Sequence, residues 1–123
     1  MIVRNILLLM VMLQVKHLIV DWLYQPKYEW SNKGTYGHWG GVRHALKNAL
    51  GTAGCFYVFV SPTSALIVLL IDFVIHYHID WAKMNINQAQ GWGPLTHEEF
   101  WWLTGTDQFL HQITYLFLIW LVL

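Results

Sequence analysis

The stretch "QVKHLIVDWLYQ", residues 14–25, closes an apolar run that begins at the first residue of the chain. It carries Lys16, His17 and Asp21 close together. Charged side chains cost roughly 2.5–3.5 kcal/mol each near the centre of a membrane-spanning helix, and they persist there when they face one another or a polar cavity. The stretch therefore predicts an apolar helix whose polar residues meet partners on other helices.

The composition indicates a membrane protein. Of the 123 residues, 56% are hydrophobic, 11% are charged and 8 are Trp. Charged residues make up roughly 25% of an ordinary soluble domain, and Trp collects at membrane–water interfaces. The formal net charge is zero, so no basic surface indicates a nucleic-acid partner. The single cysteine, Cys55, excludes an internal disulfide and a zinc site built from several cysteines. We therefore expect a lipid bilayer as the partner and no nucleic acid.

Four apolar segments predict an all-α protein, an up-down bundle of four transmembrane helices in one domain. Each segment is close to the ~20 residues that cross the hydrocarbon core of a bilayer. The first segment has no small-residue cleavage site, which favours a retained helix over a signal peptide. The predicted domain covers residues 1–123, and the predicted spans cover residues 2–23, 42–60, 64–81 and 106–123.

Two helix starts can be predicted from capping residues. Ser64 follows Pro62 and is expected to cap the third span. The sequence "THEEFWWL", residues 96–103, opens with Thr96 and Glu99 at capping-box spacing. Because aromatic residues follow, we expect a short helix in the membrane interface before the fourth span.

The distribution of basic residues predicts an orientation. Lys27, Lys33, Arg43 and Lys83 lie in or beside the two long connections, whereas the short turn and the C-terminus carry no Lys or Arg. The positive-inside rule then places both long connections in the cytoplasm and both termini outside, although Arg4 weighs against it. We expect an integral protein of the bacterial inner membrane.

Histidines and aspartates recur at helical spacing on the predicted spans. Three His/Asp pairs are separated by four positions, so both members of each pair share one face of a helix. In an up-down bundle these pairs, with one further histidine at the start of the second span, lie at the same membrane face. The candidate ligands are His17, Asp21, His44, His76, Asp80, Asp107 and His111.

This residue set predicts a metal site. Three inward carboxylates repel one another unless protons or cations neutralise them, and mixed His/Asp ligation suits Zn, Mn or Fe. Helix bundles build such sites from inward side chains. Seven ligands exceed the need of one tetrahedral ion, so we expect a divalent metal, with two ions using the set well.

The roles of the other polar residues are predicted from their positions alone, which is a less specific signal than paired spacing. Asp72 extends the His76 stripe by one turn and could be a ligand, an acceptor behind a ligand or a proton-relay group. Lys16 is expected to extend its ammonium to the interface. His38, His78 and His97 are expected at the interface or surface, where His38 and His97 could reach the mouth of the site.

The ordered run from His17 to His111 resembles a family of small bacterial and phage membrane proteins known as domain of unknown function 3307. The pattern is also similar, more distantly, to that of inner-membrane metal-dependent hydrolases, an analogy at the level of the fold. The resemblance extends over essentially the whole chain. It implies that four further polar residues surround the site: Gln25, Lys33, Lys83 and Gln108.

Three functions are compatible with these features. The first is a membrane-embedded, metal-dependent hydrolase of a lipid-linked phosphate or similar ester, with Asp21 or Asp72 as general base and Lys33 and Lys83 holding the phosphate. The second is a protein that transports or senses a metal ion or protons. The third is a phage-type membrane accessory protein without enzyme activity, in which the polar cluster only joins helices. The polar groups stop partway across the predicted bundle, which favours the first function over transport.

Overall fold

The computed structural model describes residues 2–123, and its regular secondary structure is entirely helical. The all-α prediction is therefore confirmed. Met1, the first residue of the predicted domain, lies outside the described residues. The helices are α1 (Ile2–His17), which continues as a π-helical segment (Leu18–Leu23), α2 (Lys27–Trp30), α3 (Trp39–Tyr57), α4 (Pro62–Gln90) and α5 (Glu98–Val122).

Two helices are long and apolar enough to cross a membrane, namely Ile2–Leu23 and Pro62–Gln90. The structure thus supports two of the four predicted spans, by length and composition. The other long helices, α3 and α5, do not meet this criterion, since polar side chains follow one another at helical spacing along part of each of them. These are Arg43, His44, Lys47 and Asn48 in α3, and Asp107, Gln108, His111 and Gln112 in α5.

The start and end of α4 differ from the prediction. Ser61, rather than Ser64, caps the helix, since its side chain accepts a hydrogen bond from the Ser64 N–H. Pro62 occupies the first turn, where its missing N–H is not needed. At the other end α4 continues well beyond residue 81, to Gly91, which has a φ of 67°. Glycine is favoured at such a left-handed helix end.

The predicted interfacial helix and fourth span form one helix, α5. Residues 96–103 do not make a separate element, because the backbone is helical without interruption from Glu98 onward. The predicted capping box is absent too. Thr96 precedes the cap residue, His97, and its Oγ1 lies 2.7 Å from the imidazole Nδ1 of His97.

The long connection after α1 is ordered by a buried carboxylate. Its short helix α2 packs against α3. Glu29 of α2 is only 1% exposed. Its oxygens lie 2.7 Å from Lys47 Nζ and 3.3 Å from Arg43 Nη2 of α3. These ion pairs hold the connection against the start of α3.

The bundle divides into an apolar half and a polar half. α3 and α4 make the most extensive contact, and α1 packs against α3 and α5. Many large hydrophobic side chains point outward, whereas buried polar and charged side chains outnumber buried hydrophobic ones among the described residues. Soluble domains rarely bury Asp, Lys or Glu unless they are paired. The apolar core lies toward the chain termini and consists of Leu9, Leu13, Phe56, Val68, Tyr115, Leu118 and Ile119.

Candidate metal centre

All seven predicted ligands are buried, in the half of the bundle next to the apolar core. The prediction placed the pairs of α4 and α5 in the terminal turns of their helices. The structure places both pairs well inside, because α4 continues from Asp80 to Gln90 and α5 begins at Glu98, before Asp107. Each of these extensions adds about two and a half turns, or roughly 13–15 Å of helix.

Four side chains from three segments form the first donor group, which comprises Asp21, His44, His76 and Asp80. One ligand atom from each lies within 4.8 Å of all the others. His44 Nε2 is 2.9 Å from Asp21 Oδ1 and 3.1 Å from Asp80 Oδ2. His76 Nε2 is 3.2 Å from Asp80 Oδ2 and 3.4 Å from His44 Nε2. Two imidazole nitrogens and two carboxylate oxygens therefore face a common point.

Three side chains form the second donor group, which comprises Asp80, Asp107 and His111. His111 Nε2 lies 3.2 Å from Asp80 Oδ1 and 3.4 Å from Asp107 Oδ1. Asp80 thus belongs to both groups and turns a different oxygen toward each. This is the arrangement in which one carboxylate can bridge two cations.

The donor atoms fit a divalent cation better than they fit one another. Two imidazole nitrogens at 3.4 Å can share at most one proton, and each also faces carboxylate oxygens. Within residues 2–123, Asp80 Oδ2 and Asp107 Oδ1 are buried and make no hydrogen bond. Buried ionised carboxylates are costly unless they are paired or coordinate a metal. Imidazole with carboxylate suits Zn, Mn or Fe.

The two groups differ in the number of protein donors. The first has four, which completes a tetrahedral shell, and the second has three. Structural zinc sites use four protein ligands, whereas catalytic sites use three and leave a position for water or substrate. By this criterion the first group is closed and the second is open.

The π-helical segment positions Asp21. His17 precedes this segment and Asp21 lies within it. Single π-helical turns are rare overall, but those that occur often lie at functional sites. With this wider turn, the two oxygens of Asp21 have different neighbours. Oδ1 faces His44, and Oδ2 lies 3.6 Å from the Nε2 of His17, the other member of the predicted pair.

His17 is not a member of either donor group. Its Nε2 lies 2.7 Å from Gln108 Oε1, and its Nδ1 lies 2.9 Å from the Tyr115 hydroxyl. Both nitrogens therefore have partners on α5. The structure brings six of the seven predicted ligands together and places His17 beside them, against Asp21.

Two lysines lie at the edge of the donor groups, as the resemblance implied. Lys33 Nζ is 3.5 Å from Asp80 Oδ2 and donates a hydrogen bond to Gln25 Oε1 at 2.9 Å. Lys83 Nζ is 3.8 Å from Asp107 Oδ2. Gln108 Nε2 donates to the same Asp107 oxygen at 2.9 Å. These donors lie on the side of the bundle where the long connections run. They partly offset the negative charge of the three buried carboxylates.

Lys16 and Asp72 lie deeper and outside both donor groups. The predicted extension of Lys16 to the interface is wrong, because this side chain is buried and its Nζ donates to the Tyr115 hydroxyl at 2.8 Å. Its stem runs past Gly51, where an added Cβ would come within 2.9 Å of it. Asp72 is 1% exposed and is close enough to interact electrostatically with Lys16.

One buried acid was missed at the sequence level. Glu29 Oε1 is the carboxylate oxygen that faces His44 Nδ1, at 3.6 Å. Ligand histidines usually direct their second nitrogen toward a carboxylate or carbonyl, which fixes the ring. In the sequence, Glu29 is an isolated acid in a polar connection, and no spacing rule links it to His44.

The remaining histidines lie outside the donor groups found among the described residues. His38 caps α3 by accepting a hydrogen bond from the Gly40 N–H. His78 is exposed, with its Nε2 3.0 Å from the Tyr36 hydroxyl. His97 precedes α5 and is exposed. His78 and His97 therefore lie at the surface, as predicted, whereas His38 is half-buried.

Comparison with known proteins gives a family but no function. No curated protein and no solved structure matches the chain. A family described as "Protein of unknown function (DUF3307)" matches residues 8–123. The matched range contains every member of both donor groups. By this match over nearly its whole length, the chain belongs to the DUF3307 family.

Proposed function

We propose that this chain is a membrane-embedded, metal-dependent hydrolase that acts on a lipid-linked phosphate or a similar ester. The observation that carries the proposal is the sharing of Asp80 between a closed four-donor group and an open three-donor group. Sites with two metal ions are common in enzymes that hydrolyse phosphate esters. A purely structural metal site would need only the first group.

Membrane embedding is supported by the surface of the bundle. α1 and α4 are long and apolar enough to span a bilayer. α5 exposes large hydrophobic side chains from its middle to its C-terminal end, including Phe109, Leu116 and Trp120. Contiguous apolar surface on this scale indicates contact with lipid or with another protein. We further propose, from the Lys and Arg distribution, that the long connections face the cytoplasm.

The chemistry divides between the metal and the chain. A bound divalent ion supplies Lewis acidity and lowers the pKa of a coordinated water. Asp21 directs Oδ1 to the first donor group, and its Oδ2 lies 3.6 Å from the His17 Nε2. We therefore assign the general-base role to Asp21, with His17 behind it. Asp72, the alternative base, is less suitable because it lies deeper and belongs to neither donor group.

The lysines supply the positive charge that a phosphate requires. Lys33 and Lys83 each approach a carboxylate of the donor groups, at 3.5 Å and 3.8 Å. Lysine acts toward phosphate as a flexible point charge. A phosphate held between them would lie beside the open donor group.

Transport of a metal ion or protons is the second candidate, and the extent of the polar residues argues against it. Polar groups continue below the donor groups as far as Lys16, Asn48, Thr52 and Asp72. Beyond them the bundle is filled by the apolar core. A transporter would need polar groups on both sides. Metal uptake into proteoliposomes would favour transport over hydrolysis.

The test is phosphate release by purified, metal-loaded protein from long-chain lipid phosphates in detergent. We expect wild type to release phosphate. We expect Asp107→Asn, which removes a carboxylate of the open group, to abolish release while the metal of the first group remains. Asp72→Asn is the matched control, since it removes a buried carboxylate of α4 outside both groups. Metal-loaded wild type that hydrolyses no lipid-linked phosphate would refute the proposal.

A further inference from the structure

A groove runs along the outside of the bundle between α4 and α5. Its volume is about 480 Å³, within the range of small-molecule sites. It is open along its side, and Val74 and Leu110 on its two walls are 53% and 42% exposed. The apolar lining comes mainly from Val74, Ile79, Ala82 and Ile86 of α4 and from Leu103 and Leu110 of α5.

The groove reaches the open donor group. Its charged lining residues are Lys83 and Asp107, whose Nζ and Oδ2 atoms are 3.8 Å apart. Asp107 directs its other oxygen, Oδ1, toward His111 in the second donor group. One carboxylate therefore borders both the apolar groove and the three-donor site.

We infer that this groove holds the hydrocarbon chain of the lipid substrate, with the phosphate at Lys83 and the open donor group. The inference rests on the proposed function and adds the route and the orientation of the substrate. From Lys83 to Val74 the groove extends roughly 13 Å along α4, at 1.5 Å per residue. This is close to half of the ~30 Å hydrocarbon core. The chain of a lipid from one leaflet therefore fits beside it.

A lipid fits the groove better than a helix of a partner protein. A helix with its side chains is roughly 10–12 Å wide. Docked here, it would cover Lys83, whose side chain is 19% exposed, and exclude water from its charge. A lipid phosphate instead brings an anion to Lys83 and apolar carbon to the walls. The open side lets the chain enter from the bilayer without crossing the bundle.

The first test blocks the groove. Ala82→Trp fills it from α4, and Thr106→Trp fills it from α5, where Thr106 is exposed. Gly54→Trp is the matched control: this exposed α3 residue lines a separate apolar hollow, and an added Cβ there meets nothing within 4 Å. We expect either groove variant to weaken labelling by a photoactivatable long-chain alkyl phosphate in vesicles about tenfold, a loss of about 1.4 kcal/mol in binding.

The labelled peptides identify the occupied surface independently of activity. We expect labels on α4 and α5 around Ala82 in wild type and in Gly54→Trp. Labels spread evenly over the exposed helices, or unchanged labelling in both groove variants, would overturn the inference. Labelling that is lost because the protein has unfolded would appear as lost metal in the same sample, and the other groove variant then decides.

A second readout separates this inference from the proposed function. With a short, water-soluble phenyl phosphate, the groove variants should lose much less of their rate than with the long-chain ester, because no hydrocarbon chain needs the groove. Hydrolysis of both esters by wild type with no effect of either groove variant would overturn the inference and leave the hydrolase intact. Groove-specific labelling without hydrolysis of either ester would refute the hydrolase and leave the lipid site.

Discussion

Asp80→Asn is expected to weaken both donor groups at once. The substitution keeps the size of the side chain and removes its charge. Asp80 places Oδ2 against His44 and His76 at 3.1 Å and 3.2 Å, and Oδ1 against His111 at 3.2 Å. No other residue belongs to both groups. A single change should therefore lower the bound metal from two ions toward none.

The magnitude follows from charge compensation. The two donor groups together contain three carboxylates, because Asp80 belongs to both. The substitution leaves two negative charges to compensate the four positive charges of two divalent ions. An uncompensated buried charge costs about 3–5 kcal/mol. At about 1.4 kcal/mol per factor of ten, the affinity of each group should fall by at least roughly 100-fold.

The assay is elemental analysis of detergent-purified protein, combined with competition against a chelator of known affinity. Two variants that each alter only one donor group provide the reference values for the loss of a single ion. Asp21→Asn should weaken only the first group, and Asp107→Asn only the second, so each should retain about one ion at moderate chelator concentration. Asp72→Asn, which alters a buried carboxylate two turns away on the same helix, should retain both.

Two results would refute the reasoning. Asp80→Asn protein that keeps wild-type stoichiometry at the same chelator concentration would exclude Asp80 as a ligand. If Asp80→Asn lost only as much metal as Asp107→Asn, the two groups would not share a carboxylate.

Three further predictions concern neighbouring residues. Glu29→Gln should lower metal affinity at the first group about 10–100-fold through His44 Nδ1, measured by chelator competition. Lys33→Met should instead raise metal affinity by roughly tenfold or more, since the Lys33 ammonium lies 3.5 Å from Asp80 Oδ2 and competes with a cation for that carboxylate; an unchanged value would contradict this. Lys16→Met should destabilise the fold by about 1–3 kcal/mol in thermal unfolding, because it removes the ammonium that donates to the buried Tyr115 hydroxyl; a variant as stable as wild type would exclude that role.

The helical fold was predictable because its signals are local. Long apolar runs predicted helices, and a turn between the second and third of them was expected near Pro62. The turn lies a few residues earlier than predicted, because α3 ends at Tyr57 and Pro62 opens α4. The extent of α4 and α5 was not predictable in the same way. The polar residues between 82 and 90 resemble a loop in composition, yet they continue α4, whose end is set by Gly91 in a left-handed conformation.

The site was predictable where helical spacing holds. The pairs on α4 and α5 are regular i,i+4 pairs, and in the structure they face one another. The pair on α1 is not regular, because the backbone widens at Leu18, and His17 consequently turns toward Tyr115 and Gln108. Glu29 comes from a connection whose path no periodicity describes.

The π-helical segment also has a consequence for sequence change in α1. A wider turn accommodates one more residue than an α-helical turn, so deletion of a single residue from Leu18–Val20 could restore regular winding. Each residue of a regular α-helix advances the side chain by about 100°, so a deletion there rotates every following side chain. In the π-helical segment the lost residue comes out of the wider turn, and Asp21 keeps its direction toward His44. The loss of one codon from Leu18–Val20 should therefore harm the protein less than the same loss between His76 and Asp80 of α4.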